Sequence, residues 1–380
     1  MSVVTYNKRD MGIASRWVRE ALVCPNPELR EGEFISFLVG LADRYPDAVL
    51  MPSSDRALQA VVRHAATLEA AGFAVAAPSE SVAKACLDKS ATYAVADAAG
   101  VPAPVSVNLG EPADIDRFAA RAKFPAVLKP MISHQYYAVF GRKWKPVNSV
   151  AEAMAGFQEA RAAGLEVMLQ ELITGDELCG ANYNAYFWDG QPLLEMTAEK
   201  IRNSPMETGS PCVAVSRDLP EVRKVGRELL AAMGYQGFAN IEFKRDPVDG
   251  LYKVIEVNAR HNLSGMLALR CGVNFPLAQY RHVAYGETPA WQDSFRQGLY
   301  WIDGTRDVRE LLTYLRRGDY SLRRFVAPYL APHTGAVWDR NDTGPARMRL
   351  WDTVRELFLL LRGKAASGAK SPANNLTNSH

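Results

Sequence analysis

Residues 241–260 read I-E-F-K-R-D-P-V-D-G-L-Y-K-V-I-E-V-N-A-R. Two runs of period two around a turn leave little choice but a hairpin. Val248-Asp249-Gly250 suits a three-residue loop, with glycine in the left-handed position. That turn sets Asp246 opposite Tyr252 and Glu242 opposite Glu256. Strand side chains alternate, so Glu256, Asn258 and Arg260 share a face with Glu242, while Ile241, Phe243, Ile255 and Val257 point into a core. Carboxylates facing each other across a sheet repel. A hard divalent cation relieves the repulsion, and a carboxamide oxygen beside them is a third ligand. Glu242, Glu256 and Asn258 are therefore candidate magnesium ligands, with Arg260 placed for an anion. A solvated strand face carrying charges is the alternative.

The chain has 380 residues, enough for two or three domains. Hydrophobic residues make up 48% and charged ones 23%, which fits a globular protein rather than a disordered one. The net charge of +2 gives no pull toward nucleic acid or acidic membranes, so neither partner is expected. Five scattered cysteines without a C-x-x-C pair argue against a disulfide framework or structural zinc and suit a reducing cytoplasm. No segment has the form of a signal peptide, and no apolar run approaches the roughly 20 residues that span a bilayer. Leu357–Leu361 reads as a piece of docked amphipathic helix.

Strand-like runs at Val3–Tyr6, Val49–Met51 and Phe73–Ala76 alternate with helices at about Asp55–Ala71 and Ser81–Ala99, which implies a parallel sheet with crossovers. Pro102 and Pro104 mark a boundary, giving an N-terminal α/β domain over 1–103. A small lobe over 104–168 holds helices at Asp114–Ala122 and Val150–Ala163 and strands at Ala126–Lys129 and Glu166–Gln170, with Tyr136–Val147 as a loop or hairpin. A large lobe over 169–295 holds strands at Asn182–Phe187, Leu193–Thr197 and Cys212–Val215, a helix at Pro220–Met233, and the hairpin. A helical basic module over 296–363 carries Arg316-Arg317 and Arg323-Arg324, read as a solvated face. Residues 364–380 read as a disordered tail.

Lys129 ends an apolar strand before Pro130, and Lys89 lies near the first boundary. Each alone is an ordinary solvated lysine. The run from Val167 to Glu177 (V-M-L-Q-E-L-I-T-G-D-E) is less ordinary, because a buried strand enters a glycine turn followed by two acids. Backbone groups leaving such a strand can pair with a planar base, and an acid beyond can hold a ribose diol. In this order, the lysines, the Gln170–Glu177 hinge and the Glu-Val-Asn hairpin resemble the ATP-grasp superfamily over roughly residues 45–290. Met51-Pro52-Ser53-Ser54-Asp55, Leu128-Lys129-Pro130, Gln170-Glu171-Leu172-Ile173 and Cys271-Gly272-Val273-Asn274-Phe275-Pro276 are similar to its carboxylate–amine ligase branch, which includes D-aspartate-ligase-like proteins.

The resemblance implies an α/β ATP-grasp fold with a helical C-terminal extension, and ATP with Mg²⁺, or Mn²⁺ in its place, as cofactors. It implies that Lys89 and Lys129 contact phosphates. Gln170, the Glu171 carbonyl and the Ile173 amide would hold adenine, and Glu177 the ribose. Glu242, Glu256 and Asn258 would hold metal. Lys129 and Arg260 would be catalytic, Arg260 stabilising an acyl phosphate or tetrahedral adduct. The implied reaction joins a carboxylate to an amine in a small molecule, in an enzyme that is often a dimer.

Two departures stand out. Many superfamily members cover the triphosphate with a glycine-rich loop, but Met131–Lys145 has only Gly141, flanked by Arg142, Lys143 and Lys145. Closure by charge is expected instead, with Lys143 as a phosphate contact and His134, Tyr136 and Tyr137 as packing or lid residues. The N-terminal domain also lacks the first βα unit of related domains, and a mis-set start with an upstream segment is the favoured explanation. Lys200 and Arg202 are candidate contacts for a substrate carboxylate. Specificity is expected from the N-terminal domain, the Lys200–Thr208 loop and the Asn262–Met266 turn. A nucleotide-binding regulatory or scaffold protein without turnover is the competing function. An NAD-type oxidoreductase fails for want of G-x-G-x-x-G after a strand.

Overall fold

The computed structural model describes residues 1–131, 133–142, 144–206, 209–318 and 320–361. The tail expected over 364–380 lies outside them, as do Lys143 and Thr208.

The N-terminal region contains two parallel strand pairs. β1 (Ser2–Thr5) lies beside β2 (Glu20–Val23), which is followed by α1 (Glu31–Val39). After β3 (Val49–Leu50) come α2 (Asp55–Arg63), α3 (Ala65–Ala70) and β4 (Ala74–Val75), which pairs with β3. The single helix expected over 55–71 is broken at His64, whose ψ of 21° leaves the helical region and whose Nε2 lies 3.0 Å from Glu31. The helix expected over 81–99 is likewise two, α4 (Glu80–Leu87) and α5 (Lys89–Ala98). Asp88 is extended, and its carboxylate accepts from the amides of Ser90 and Ala91, a helix cap that interrupts one helix and starts the next. Lys89 consequently opens a helix rather than sitting within one.

The small lobe is a four-stranded sheet in the order β5–β8–β6–β7. Along the chain it runs β5 (Ser106–Leu109), α6 (Ala113–Ala119), β6 (Ala126–Pro130), α7 (Ser133–Phe140), β7 (Lys145–Val147), α8 (Val150–Ala162) and β8 (Val167–Glu171). The segment read as a loop or hairpin therefore holds a helix. Tyr136 is buried and packs on Phe140 with ring centroids 4.6 Å apart, so apolar burial stabilises a turn that carries little helix signal. Tyr137 is exposed.

The large lobe is a seven-stranded sheet in the order β13–β12–β9–β10–β11–β14–β15. Its elements are β9 (Gly180–Trp188), β10 (Gln191–Ser204), β11 (Ser210–Ser216), α9 (Pro220–Ala232), β12 (Gly237–Arg245), β13 (Tyr252–Asn258), α10 (Gly265–Arg270), α11 (Phe275–Tyr285) and β14 (Tyr300–Ile302). Then follow α12 (Gly304–Arg316), α13 (Leu322–Leu330), β15 (His333–Gly335) and α14 (Gly344–Leu361). The segment after 296 is mostly helical and also supplies two strands to this sheet. Among the described residues no helix is long and apolar enough to cross a membrane, and all five cysteines are unbridged.

Strand alternation divides the large sheet into two uses. Tyr183, Ile241, Phe243, Val254 and Val257 face a core shared with α4, α5 and α9. Asn182, Asn240, Glu242, Glu256 and Asn258 line a recess. Within the hairpin, Glu242 pairs with Glu256 as expected and Gly250 has φ of 76°. A bulge then shifts the register by one, so Arg245 rather than Asp246 stands opposite Tyr252. Its consequence is that Val254, not Ile255, fills the core beside Phe243.

Helix α9 approaches this sheet closely through Gly226. A Cβ there would lie 2.8 Å from Tyr183 Cε1, and the tyrosine is fixed by its 2.9 Å hydrogen bond to buried Glu195. We expect Gly226→Ala to destabilise the protein by about 1–3 kcal/mol, overpacking outweighing the roughly 1 kcal/mol gain in helix propensity. An unchanged urea midpoint would show that the helix can move away at no cost.

Candidate active site

The recess is lined by Asn182 on β9, Asn240 and Glu242 on β12, Glu256 and Asn258 on β13, and Ser210 and Pro211 at the start of β11. Asn182, Glu242 and Glu256 form one row across three strands, since Glu242 pairs with Asn182 on one side and Glu256 on the other. Both glutamates carry lysine partners. Lys89 Nζ lies 3.2 Å from Glu256, and Lys200 donates to Glu242. Lys200 thus reaches the site, although through a carboxylate of the protein.

Behind this row a chain of carboxamides sets orientation. Asn258 Nδ2 donates to Asn240 Oδ1 (3.2 Å), and Asn240 Nδ2 to Asn184 Oδ1 (3.1 Å). Asn262 Nδ2 also donates to Asn184 Oδ1 (3.0 Å). With Nδ2 bonded to Asn240, Asn258 keeps its carbonyl oxygen as an acceptor at the recess. Asn182 is only 4% exposed, and its Oδ1 has no hydrogen-bond partner. A buried acceptor left unsatisfied costs about 1–3 kcal/mol. Two carboxylates, a carboxamide oxygen and this orphan are all hard oxygen donors, and that set fits Mg²⁺. No group of three or more His, Cys, Asp or Glu that could hold a metal occurs among the described residues.

On the small-lobe side, Lys129 stands one residue before the end of β6 and donates to Gln170 Oε1, whose Nε2 donates to Ser106 Oγ (2.9 Å). Burial first, then the neighbouring charge of Lys89, holds the Lys129 ammonium down to about 8. Burial also opposes the charge of Lys89, but Glu256, Tyr93 and Glu242 together outweigh it and raise its pKa. Its side chain remains 45% accessible, as expected for a group in an open cleft. Tyr93, one turn along α5, donates to the Ile255 carbonyl (2.8 Å) and ties this helix to β13.

Arg260 Nε and Nη2 bind the Asp55 carboxylate at 2.7 and 2.9 Å, linking the start of α2 to the recess. Burial opposes its charge, and Asp55 more than restores it. Arg202 is not a substrate contact: it is fully buried and bound to Asp307. Arg317, read as solvated, bonds Asp176 in the hinge at 3.4 Å. Ile173 is buried, and the Glu171 carboxylate accepts from Lys253 (3.0 Å) and the Val105 amide (3.2 Å). Glu177 begins a short 3-10 turn, but its side chain lies outside the described residues.

The fold therefore brings Lys89, Lys129, Gln170, Glu242, Glu256, Asn258 and Arg260 to one cleft. Sequence reasoning missed Asn182, Asn184, Asn240 and Asp55. A signal for Asn240 existed: N-x-E in β12 mirrors E-x-N in β13, and both pairs repeat at the strand period. Asn262, Leu263 and Ser264 of the 262–266 turn also line the recess.

No protein-family model matches the chain. It is 25% identical over 227 residues to a D-alanine–D-alanine ligase of Ectopseudomonas mendocina, covering 55% of this chain and 68% of that one. It is 28% identical over 172 residues to a D-aspartate ligase of Enterococcus faecium, covering 40% of this chain and only 38% of the ligase. Among solved structures, the biotin carboxylase domain of Hydrogenobacter thermophilus 2-oxoglutarate carboxylase superposes with a TM-score of 0.60 at 19% identity, over 79% of this chain and 68% of that one. That structure is a dimer holding MgADP, ADP and bicarbonate.

Proposed function

We propose that this chain, an ATP-grasp protein, is an ATP- and Mg²⁺-dependent ligase that activates a carboxylate as an acyl phosphate and joins it to an amine. The observation that carries this reading is the facing pair Glu242 and Glu256 beside Asn258, with Lys89 and Lys129 at the same cleft. The similarity to two amino-acid ligases supports an amino acid or similar small molecule as substrate.

In this reading a carboxylate oxygen attacks the γ-phosphorus of ATP, the bond to the bridging oxygen breaks, and ADP leaves with that electron pair. The amine nitrogen then attacks the acyl carbon, phosphate departs, and the nitrogen gives up its proton. Lys89 and Lys129 hold phosphate oxygens. Gln170, the Glu171 carbonyl and the Ile173 amide hold the base, and Glu177 the ribose. Glu242, Glu256 and Asn258 would hold magnesium or manganese, with the Asn182 oxygen beside them. The metal would supply charge neutralisation on the phosphates. Arg260, fixed by Asp55, faces the negative charge that develops at the acyl centre. A homodimer in the cytoplasm completes the reading.

The test is phosphate release that requires a carboxylate and an amine together. Saturable Mg·ATP binding without turnover across a wide panel would favour a nucleotide-binding protein instead. Lys129 also sets a pH dependence. Being depressed to about 8, it is charged below that pH and neutral above it. ATP affinity is expected to fall as pH rises through about 8, with net proton uptake on binding above it. Lys129→Met should flatten that part of the profile, and an unaltered profile would remove Lys129 from the phosphate site.

A further inference from the structure

We infer that Arg306, on α12, is a positioning residue for the substrate side of this site, because it grips the backbone at both ends of the β10–β11 connection. Its Nη2 donates to the carbonyls of Ser204 (2.5 Å) and Ser210 (3.0 Å) and to Ser210 Oγ (2.6 Å), and its Nη1 donates to the Pro211 carbonyl (3.3 Å). Ser204 ends β10, Ser210 begins β11 and the two are ladder partners, so one guanidinium clamps the end of this ladder.

The rest of α12 continues the grip. Tyr314 Oη accepts from the Asn203 amide (2.9 Å) and donates to the Asn203 carbonyl (3.3 Å). Ser204 Oγ donates to Glu310 (3.1 Å), and the Asp303 amide donates to the Cys212 carbonyl (2.8 Å). These bonds run from a single helix and its N-cap, Asp303, to Asn203 and Ser204 on β10 and to Ser210, Pro211 and Cys212 on β11. Ser210 and Pro211 line the recess with Glu242 and Asn258. Lys200, which holds Glu242, lies two residues before Arg202 on the same gripped strand.

Only arginine suits this task. Its planar fork offers five donors in fixed directions, whereas a lysine ammonium cannot meet four acceptors spread over two strands. The basic C-terminal segment is thereby part of the site's construction: its helix sets where one wall of the recess stands relative to the carboxylates. Reacting groups displaced by about 1 Å can lose 10²-fold in rate, so such a wall bears on turnover without touching substrate.

This inference rests on the ligase reading for its kinetic consequence but not for its structural one, and the experiment separates them. Arg306→Met and Arg306→Lys are made in the full chain. Amide hydrogen exchange is followed over 203–206 and 209–212, together with KM and kcat for carboxylate, amine and ATP. Arg306→Met should speed exchange in those two segments and raise KM for the carboxylate or the amine about 10-fold or more, the scale of losing charge-assisted hydrogen bonds. KM for ATP should stay within about twofold, and lysine should restore part of the loss. Wild-type exchange at both strand ends, or a uniform loss that follows the melting temperature, would overturn the inference. A wild-type chain that turns over no substrate pair would overturn the ligase reading, and exchange would still decide whether Arg306 holds the strands.

Discussion

Glu256→Gln is expected to lower ligase turnover by about 10²-fold or more, the scale found when a preorganised charge-stabilising group is removed. Glu256 meets Glu242 directly across the hairpin and holds Lys89 at 3.2 Å. Glutamine keeps the shape but removes the charge that binds a cation, and it weakens the hold on Lys89. The fold should not suffer. Facing carboxylates repel across a sheet, so the melting temperature should stay level or rise. Loss of turnover without loss of stability is the signature of a pair kept for binding rather than for folding. Turnover within about threefold of wild type, measured by phosphate release at saturating substrates, would remove Glu256 from the metal site.

The second large effect lies outside the chemistry. Asp307→Ala should destabilise the protein by about 3–5 kcal/mol, because it leaves a guanidinium buried without its counter-charge. Neither Arg202 nor Asp307 exposes any side-chain surface. Their contact is bidentate at 2.6 and 2.7 Å, Tyr320 accepts from Arg202 at 3.0 Å, and Tyr329 donates to Asp307 at 2.7 Å. The Arg202 guanidinium also lies 4.2 Å from the Phe325 ring centroid. A fall in melting temperature of about 5 °C follows from that loss. Arg202→Met combined with Asp307→Leu should recover most of it, since a buried pair replaced by apolar groups of similar size is often neutral. A single Asp307→Ala change within about 1 kcal/mol of wild type in chemical denaturation would mean that water reaches the guanidinium.

Legibility in the sequence followed the range of the interaction. The Glu242–Glu256 pairing was readable because a short turn and a period of two fix it locally, and the left-handed Gly250 agrees. The bulge that exchanges Ile255 for Val254 in the core was not, since it depends on how the strand meets the neighbouring core. The break before Lys89 was only half legible: Asp88 carries a cap signal, but helical periodicity runs through it, so a helix starting at Lys89 and one continuing through it read alike. Arg202 shows why a basic residue on a strand is ambiguous. Its partner stands 105 residues away, and only packing of α12 against β10 determines that it is buried. The Asp55–Arg260 pair spans 205 residues and is hidden for the same reason.

By itself, the sequence determined which side chains share a face of the hairpin, the order of lysine, hinge and acidic strands, and hence the kind of fold they imply. These follow from backbone periodicity and turn geometry, which act over a few residues. Tertiary structure alone decided that Lys89 meets Glu256, that Asn182 keeps an unpaired oxygen in the recess, and that the C-terminal helix grips the strands beside it. Those facts depend on burial, which converts distant groups into partners and makes an unpaired polar atom costly.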